Sequence, residues 1–146
     1  MSENPASPSA IAEEFYRRAD AGRADLPDLF TEDAEIFFPK FGIARGRTAI
    51  LRLSGGLMTA VASLEHLMDE LRYLEVGGTV VVEGTTRGTT HAGGSWHGGQ
   101  TPGGRFCSVF ELDGGLISRM YIYLDPDYTS ADRDRFLWPD SVDRCW

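Results

Sequence analysis

The apolar positions of this chain change their period once. Up to about residue 61 they recur at helical spacing, and from residue 64 they alternate as in half-buried strands. Ile11, Phe15 and Ala19, flanked by Ala12 and Tyr16, form one helical stripe. Ser7-Pro8 opens it as N-cap and first-turn proline, and Asp20-Ala21-Gly22 ends it. Asp25-Leu26-Pro27-Asp28-Leu29-Phe30 predicts a second, very short helix capped by Asp25, and residues 35–38 a short strand stopped by Pro39. A third helix is expected over 46–61, with Ile50, Leu53, Leu57 and Val61 on one face. Gly55-Gly56 in its middle costs about 1 kcal/mol per glycine relative to alanine, which predicts a kink or a close approach by another backbone.

The alternating half predicts strands at 64–74, 79–90, 104–112 and 116–125, with a closing helical turn over 130–137. Their connections are Glu75-Val76-Gly77-Gly78, a glycine-rich reversal over 93–104, and Asp113-Gly114-Gly115. Consecutive antiparallel strands after a helix-rich start make the class α+β. A long sheet covered by helices on one face must curl, and Gly84 and Gly88 permit the bend. The expected shape is a cone-shaped curved antiparallel sheet wrapped by three N-terminal helices, half open around one pocket. Such pockets hold or act on small apolar molecules. Residues 1–8, polar and proline-containing, read as a disordered tail, and 9–146 as a single domain.

Composition narrows the partners. At 146 residues the chain can bury one sizeable core. A net charge of -8 and a pI near 4.8 argue against nucleic acid and against an anionic membrane surface. No apolar run approaches the roughly 20 residues that span a bilayer, and no basic start with an apolar stretch marks a signal peptide. Two cysteines, Cys107 and Cys145, are too few for a disulfide framework, so a cytoplasmic location is expected. Neither belongs to a metal-spaced pair.

Proton-transfer chemistry needs a group that titrates near neutrality, held in a dry pocket. His66 shares its strand face with Leu64 and Met68. It is a pocket base if that face lines the cone, and a surface or dimer-contact histidine if the Leu67, Leu71 and Tyr73 face does. No acidic partner for it is visible in the sequence. His91, after Gly88-Thr89-Thr90, is an auxiliary group or a solvated strand end; His97 beside Trp96 is a lid, a dimer contact or an exposed loop residue. Their spacing lacks a helical frame and nearby ligands, so no metal is expected. Asp125 ends the last strand as an auxiliary acid or as a turn initiator at Asp125-Pro126-Asp127. It alternates with Tyr121 and Tyr123, whereas Met120, Ile122 and Leu124 form the more apolar, pocket-side row. Tyr16 offers a phenol to a substrate oxygen or packs at the core edge. Phe38, Phe106, Phe110 and Trp96 raise the aromatic density around a pocket, and Ser108, alternating with Phe106 and Phe110, is a lone polar group in that wall. No nucleophile elbow, phosphate loop or cofactor motif is present, so no cofactor is expected.

Several segments together resemble a known family. They are Phe15-Tyr16, Ala21-Gly22, Leu29-Phe30-Thr31-Glu32-Asp33-Ala34, Gly46-Arg47-Thr48-Ala49-Ile50, Gly84-Thr85-Thr86-Arg87-Gly88-Thr89 and Val109-Phe110-Glu111-Leu112-Asp113-Gly114-Gly115-Leu116-Ile117. They resemble the nuclear transport factor 2-like superfamily, in its SnoaL-like branch of polyketide cyclases and ketosteroid isomerase relatives. The resemblance covers about residues 9–127. It implies a homodimer formed through the outer sheet face, and an activity drawn from a range that includes cyclases, isomerases, dehydratases and non-enzymatic adaptors.

Ketosteroid isomerase tests that range residue by residue. Its general base, an aspartate before a proline, falls on Phe38, which carries no proton. Its second aspartate falls on Ser108, or on Cys107 with a one-residue slip, and its tyrosine near Phe15 and Tyr16. That specific activity is therefore not implied. The expected function is cofactor-independent proton transfer on a small, hydrophobic, oxygenated molecule. His66 would be the base, Tyr16 the donor and Asp125 or His91 an auxiliary; Phe38, Phe106, Ser108, Phe110, Met120, Ile122 and Trp96 would contact the ligand. The alternative is a non-catalytic binding protein that uses the same pocket.

Overall fold

The structure, a computed structural model, describes residues 6–137. Residues 1–5 of the expected tail, Trp138 and Cys145 lie outside them. Ser7 accepts the Ala10 N–H at 3.2 Å and Pro8 opens helix α1 (Pro8–Asp20), whose Ile11, Ala12, Phe15 and Tyr16 are buried. The expected second helix is a single 3-10 turn, Leu26–Leu29. Asp25 does not cap it, because its carboxylate is held by Arg23 at 2.8 Å instead. Helix α2 (Arg47–Ala60) runs unbroken through Gly55-Gly56. There are thus two α-helices among the described residues rather than three.

Eight strands follow or interleave: β1 (Phe30–Phe38), β2 (Gly42–Arg45), β3 (Val61–His66), β4 (Arg72–Val76), β5 (Thr79–Thr90), β6 (Ser95–His97), β7 (Arg105–Asp113) and β8 (Leu116–Leu124). They form one sheet in the order β2-β1-β8-β7-β5-β3, with β4 and β6 also paired to β5. The sheet is mixed, not wholly antiparallel, because β1 pairs parallel to β8 through Ile36–Met120 and Phe37–Tyr121. The two strands come from opposite ends of the sequence, so no hairpin dictates their sense. The strand expected at 35–38 begins earlier, at Phe30, and its hairpin partner β2 was too short to show a period.

The strand expected over 64–74 is split in two. β3 pairs with the far half of β5, ending at His66–Thr86, while β4 pairs with the near half, from Arg72–Glu83 to Val76–Thr79. The 3-10 turn Met68–Glu70 carries the chain around the bend of β5 between these halves. Gly84 makes the bend possible: a β-carbon there would sit 2.4 Å from Leu71 Cδ2 and 2.9 Å from the Phe106 ring.

The concave face gathers the core. Phe15 meets Phe30 and Phe110 edge to face, at centroid distances of 5.9 and 5.7 Å. Burying Phe30 and Phe110 completely contributes about 2 kcal/mol or more each. The glycine-rich stretch is more than a reversal, because it contains β6 and seats Trp96. That ring stacks on Tyr128 at 4.4 Å and donates from Nε1 to Thr86 Oγ1 at 2.9 Å. β-Carbons at Gly88 and Gly104 would lie 2.4 and 2.7 Å from the same indole.

The convex face has its own order. Ile43, Phe37, Tyr121, Val109, Val81 and Leu74 stand opposite one another across five successive strand pairings. One adjoining row alternates in charge, Arg45, Glu35, Arg119, Glu111, joined by ion pairs Arg45–Glu35 at 2.8 Å and Arg119–Glu111 at 3.0 Å.

Candidate active site

Between the concave sheet face and the two helices lies a cavity of about 620 Å³. Its walls are mostly apolar: Phe38 from β1, Leu57 from α2, Leu64 from β3, Phe106 from β7, and Met120, Ile122 and Leu124 from β8. The pocket-side row of β8 is the one its alternation predicts. Tyr16, His66 and Ser108 line the cavity as well.

His66 is not alone. Its Nδ1 lies 2.6 Å from Asp20 Oδ1, and its backbone N–H donates to Asp20 Oδ2 at 2.9 Å. An ionised carboxylate only accepts, so Nδ1 carries the hydrogen and the neutral ring keeps its lone pair on Nε2. Nε2 has no hydrogen-bond partner among the described residues and is the ring atom available to a bound molecule. Tyr16 and Phe106 hold the imidazole plane, with centroids 4.6 and 5.2 Å from it. Both side chains of the pair are largely shielded from solvent.

Asp20 was read from the sequence only as a helix stop. Two signals could have found it. It stands four residues after Tyr16, on the same helical face. It is also an acid in the last turn of α1, where the helix dipole disfavours negative charge.

Beside the imidazole are two orphaned hydroxyls. Tyr16 and Ser108 are each only 1% exposed, and neither Tyr16 Oη nor Ser108 Oγ has a hydrogen-bond partner among the described residues. Burial pushes the Tyr16 phenol far above its usual range; the Ser108 hydroxyl is near enough to offset part of this, though the two do not meet hydrogen-bond geometry. Tyr16 therefore stays a neutral donor. A buried hydroxyl without a partner costs about 1–3 kcal/mol, so the two together are an uncompensated polar point in an apolar wall.

The remaining candidates lie elsewhere. Phe110 is fully buried in the core against Phe15 and Tyr16 and does not line the cavity. Trp96 stands behind the wall, supporting Tyr128 and Thr86, which do line it. Asp125 is exposed and accepts the Asp127 N–H at 2.9 Å, the turn geometry that its sequence allows. His91 is exposed, and its Nε2–H donates to the Met58 carbonyl at 3.0 Å, tying the β5 end to α2. His97 bonds locally to the Gly98 carbonyl at 3.0 Å. No group of three or more potential metal ligands occurs among the described residues.

Residues 12–120 match the family model of the SnoaL-like domain. No curated protein matches the chain. Among solved structures it is similar to TerC co-crystallised with polyporic acid, at 19% identity and TM-score 0.69 over 82% of this chain and 92% of that one. It is similar to an NTF2-like protein of unknown function from Burkholderia pseudomallei K96243, at 17% identity and TM-score 0.72 over 85% and 98%. A polyketide cyclase candidate from Pseudomonas putida KT2440 superposes at 13% identity and TM-score 0.70 over 84% and 95%. At these identities the structures speak for the fold, and the family match for the relationship. The chain belongs to the SnoaL-like domain family.

Proposed function

We propose that this protein is a cofactor-independent acid–base enzyme acting on a small, hydrophobic, carbonyl-bearing molecule. One observation carries the reading: an Asp20-oriented His66 in the wall of an apolar cavity, beside the unpartnered Tyr16 and Ser108 hydroxyls. His66 Nε2 takes a proton from the carbon next to the carbonyl. The carbonyl oxygen gains the negative charge and accepts hydrogen bonds from Tyr16 and Ser108. Asp20 balances the imidazolium that results, which then returns its proton to another carbon or to a departing oxygen. Isomerisation, cyclisation and dehydration all share this first step.

The test uses 2-tetralone, whose C1–H is activated by one ketone, and 2-naphthol as a stable mimic of its enol. Deuterium incorporation at C1 in heavy water, followed by NMR, is expected to accelerate with the protein and to fall about 100-fold or more in His66→Ala. An unchanged rate in that variant would falsify the assignment of the base.

A second reading, binding without turnover, draws on Phe38, which fills the position where ketosteroid isomerase has its base. Tight binding of 2-naphthol without any exchange of 2-tetralone would favour it. A homodimer through the convex sheet face belongs to either proposal, because the apolar row from Ile43 to Leu74 asks for a second copy of the same face. A cytoplasmic location, expected from the cysteine usage, is proposed on the same footing. No described helix is long and apolar enough to cross a membrane.

A further inference from the structure

Gly55-Gly56 weakens α2 by about 2 kcal/mol in all without breaking it, so its cause must be spatial. The two glycines do different things. A β-carbon at Gly56 would lie 3.1 Å from Phe41 Cε1, so this glycine makes room for a ring that packs edge to face on Phe38 in the cavity wall. At Gly55, no atom beyond its own stretch of helix lies within 4 Å of where a β-carbon would be. Gly55 nevertheless lines the cavity. It is a gap in the wall.

The residues around the gap support this. Leu51 and Met58, four before and three after Gly55, share its helical face. Both line the cavity, yet they are 46% and 47% exposed. The cavity therefore reaches solvent across the middle of α2. The lining also includes the turn after α1, at Gly22, Arg23 and Ala24. His91 fixes the frame from the other side by holding the Met58 carbonyl. A leucine or methionine at residue 55 would complete an apolar row with Leu51 and Met58 and close the opening.

Accepting the cavity as the ligand site, we propose that the gap at Gly55 is the portal through which the ligand enters and leaves. The glycine thus acts on rates more than on affinity, since a bound ligand rests deeper, against His66, Tyr16 and Ser108.

The experiment is stopped-flow fluorescence with 2-naphthol on the intact protein, wild type against Gly55→Leu and Gly55→Ala. In Gly55→Leu the association and dissociation rates are expected to fall together, on the order of tenfold, with the dissociation constant changing much less. Gly55→Ala should raise the melting temperature and slow binding only slightly. Should Gly55→Leu fail to fold, Gly55→Cys in a Cys107→Ser, Cys145→Ser background is modified after folding with methyl or benzyl methanethiosulfonate. The benzyl adduct alone is expected to slow the probe. Unchanged rates in a folded Gly55→Leu protein or benzyl adduct overturn the portal while leaving the site intact. No binding of 2-naphthol to the wild type removes the ligand-site reading and the portal with it.

Discussion

Asp20 grips His66 at two points, its Oδ1 at the ring and its Oδ2 at the backbone N–H of the same residue. The last residue of α1 thereby fixes both the position of β3 and the orientation of the imidazole on it. Asp20→Asn keeps the size and loses the charge. An amide turned to present its NH2 to Nδ1 forces the hydrogen onto Nε2 and removes the lone pair from the cavity side. Exchange at C1 of 2-tetralone is expected to fall about 100-fold, with the circular dichroism spectrum unchanged. Nitrogen NMR of the ring should show the hydrogen moved from Nδ1 to Nε2. Full exchange activity with an altered tautomer would mean that the pair is structural.

Tyr16 and Ser108 separate stability from function by sign. In the free protein each hydroxyl is buried without a partner, so Tyr16→Phe is expected to leave folding stability unchanged or raise it by about 1 kcal/mol. The same substitution should weaken 2-naphthol binding about tenfold, because the ligand's oxygen loses its donor. Urea unfolding and fluorescence titration of one variant check both halves. Weaker folding together with unchanged binding would show that the phenol serves the core alone.

Burial holds Tyr16 and Tyr128 above their ordinary phenol range near 10, desolvation being the leading cause for both. A folded-state value above the unfolded one means that the native chain keeps protons which the unfolded chain releases. The stability tied to these two groups is therefore fully present below about pH 10 and declines as pH rises beyond it. Each group adds a slope approaching about 1.4 kcal/mol per pH unit. The urea midpoint is expected to hold between pH of about 8 and 9.5 and to fall by about 11.5, less steeply in Tyr128→Phe. A midpoint that is flat across the whole range would contradict the burial of both phenols.

What the sequence disclosed about this fold was its periodic part. The alternation of Met120, Ile122 and Leu124 against Tyr121 and Tyr123 identified the cavity face of β8, because a strand with one buried face leaves a regular mark. The split of β3 from β4 left no such mark. Residues 61–76 stay apolar-rich across a corner whose cause, the bare Gly84 beneath Leu71, lies in another strand. The parallel join of β1 to β8 was equally silent, since register between distant segments is set by packing. His66 and Tyr16 were nameable as polar groups on apolar faces. Their partner Asp20 is 46 residues from His66 along the chain and looked like ordinary helix punctuation. Trp96 was expected against the ligand and stands behind the wall instead, because the glycines beside it let its ring into the core.

The convex face supplies the last prediction. Its six-residue apolar row crosses six strands, which at about 4.8 Å per strand makes a ridge roughly 24 Å long. That is close to the width of a patch of about 800 Å², the share each partner contributes to a stable interface of ordinary size. Arg119 stands 3.5 Å over the Tyr121 ring, and Tyr121 donates to Glu35 at 3.1 Å, so the charges bordering the ridge are tied down. Val109 lies inside the row, where a charged side chain would lose its water in a dimer without meeting a partner. Val109→Arg is therefore expected to convert a particle of twice 16.1 kDa to one of 16.1 kDa in sedimentation velocity. Arg72→Ala, at an exposed position outside the row, should leave the mass alone. A wild-type protein that sediments as a monomer at 100 μM, a loading far above the dissociation constant of a stable dimer, would remove the second copy as occupant and leave the ridge without an assigned partner.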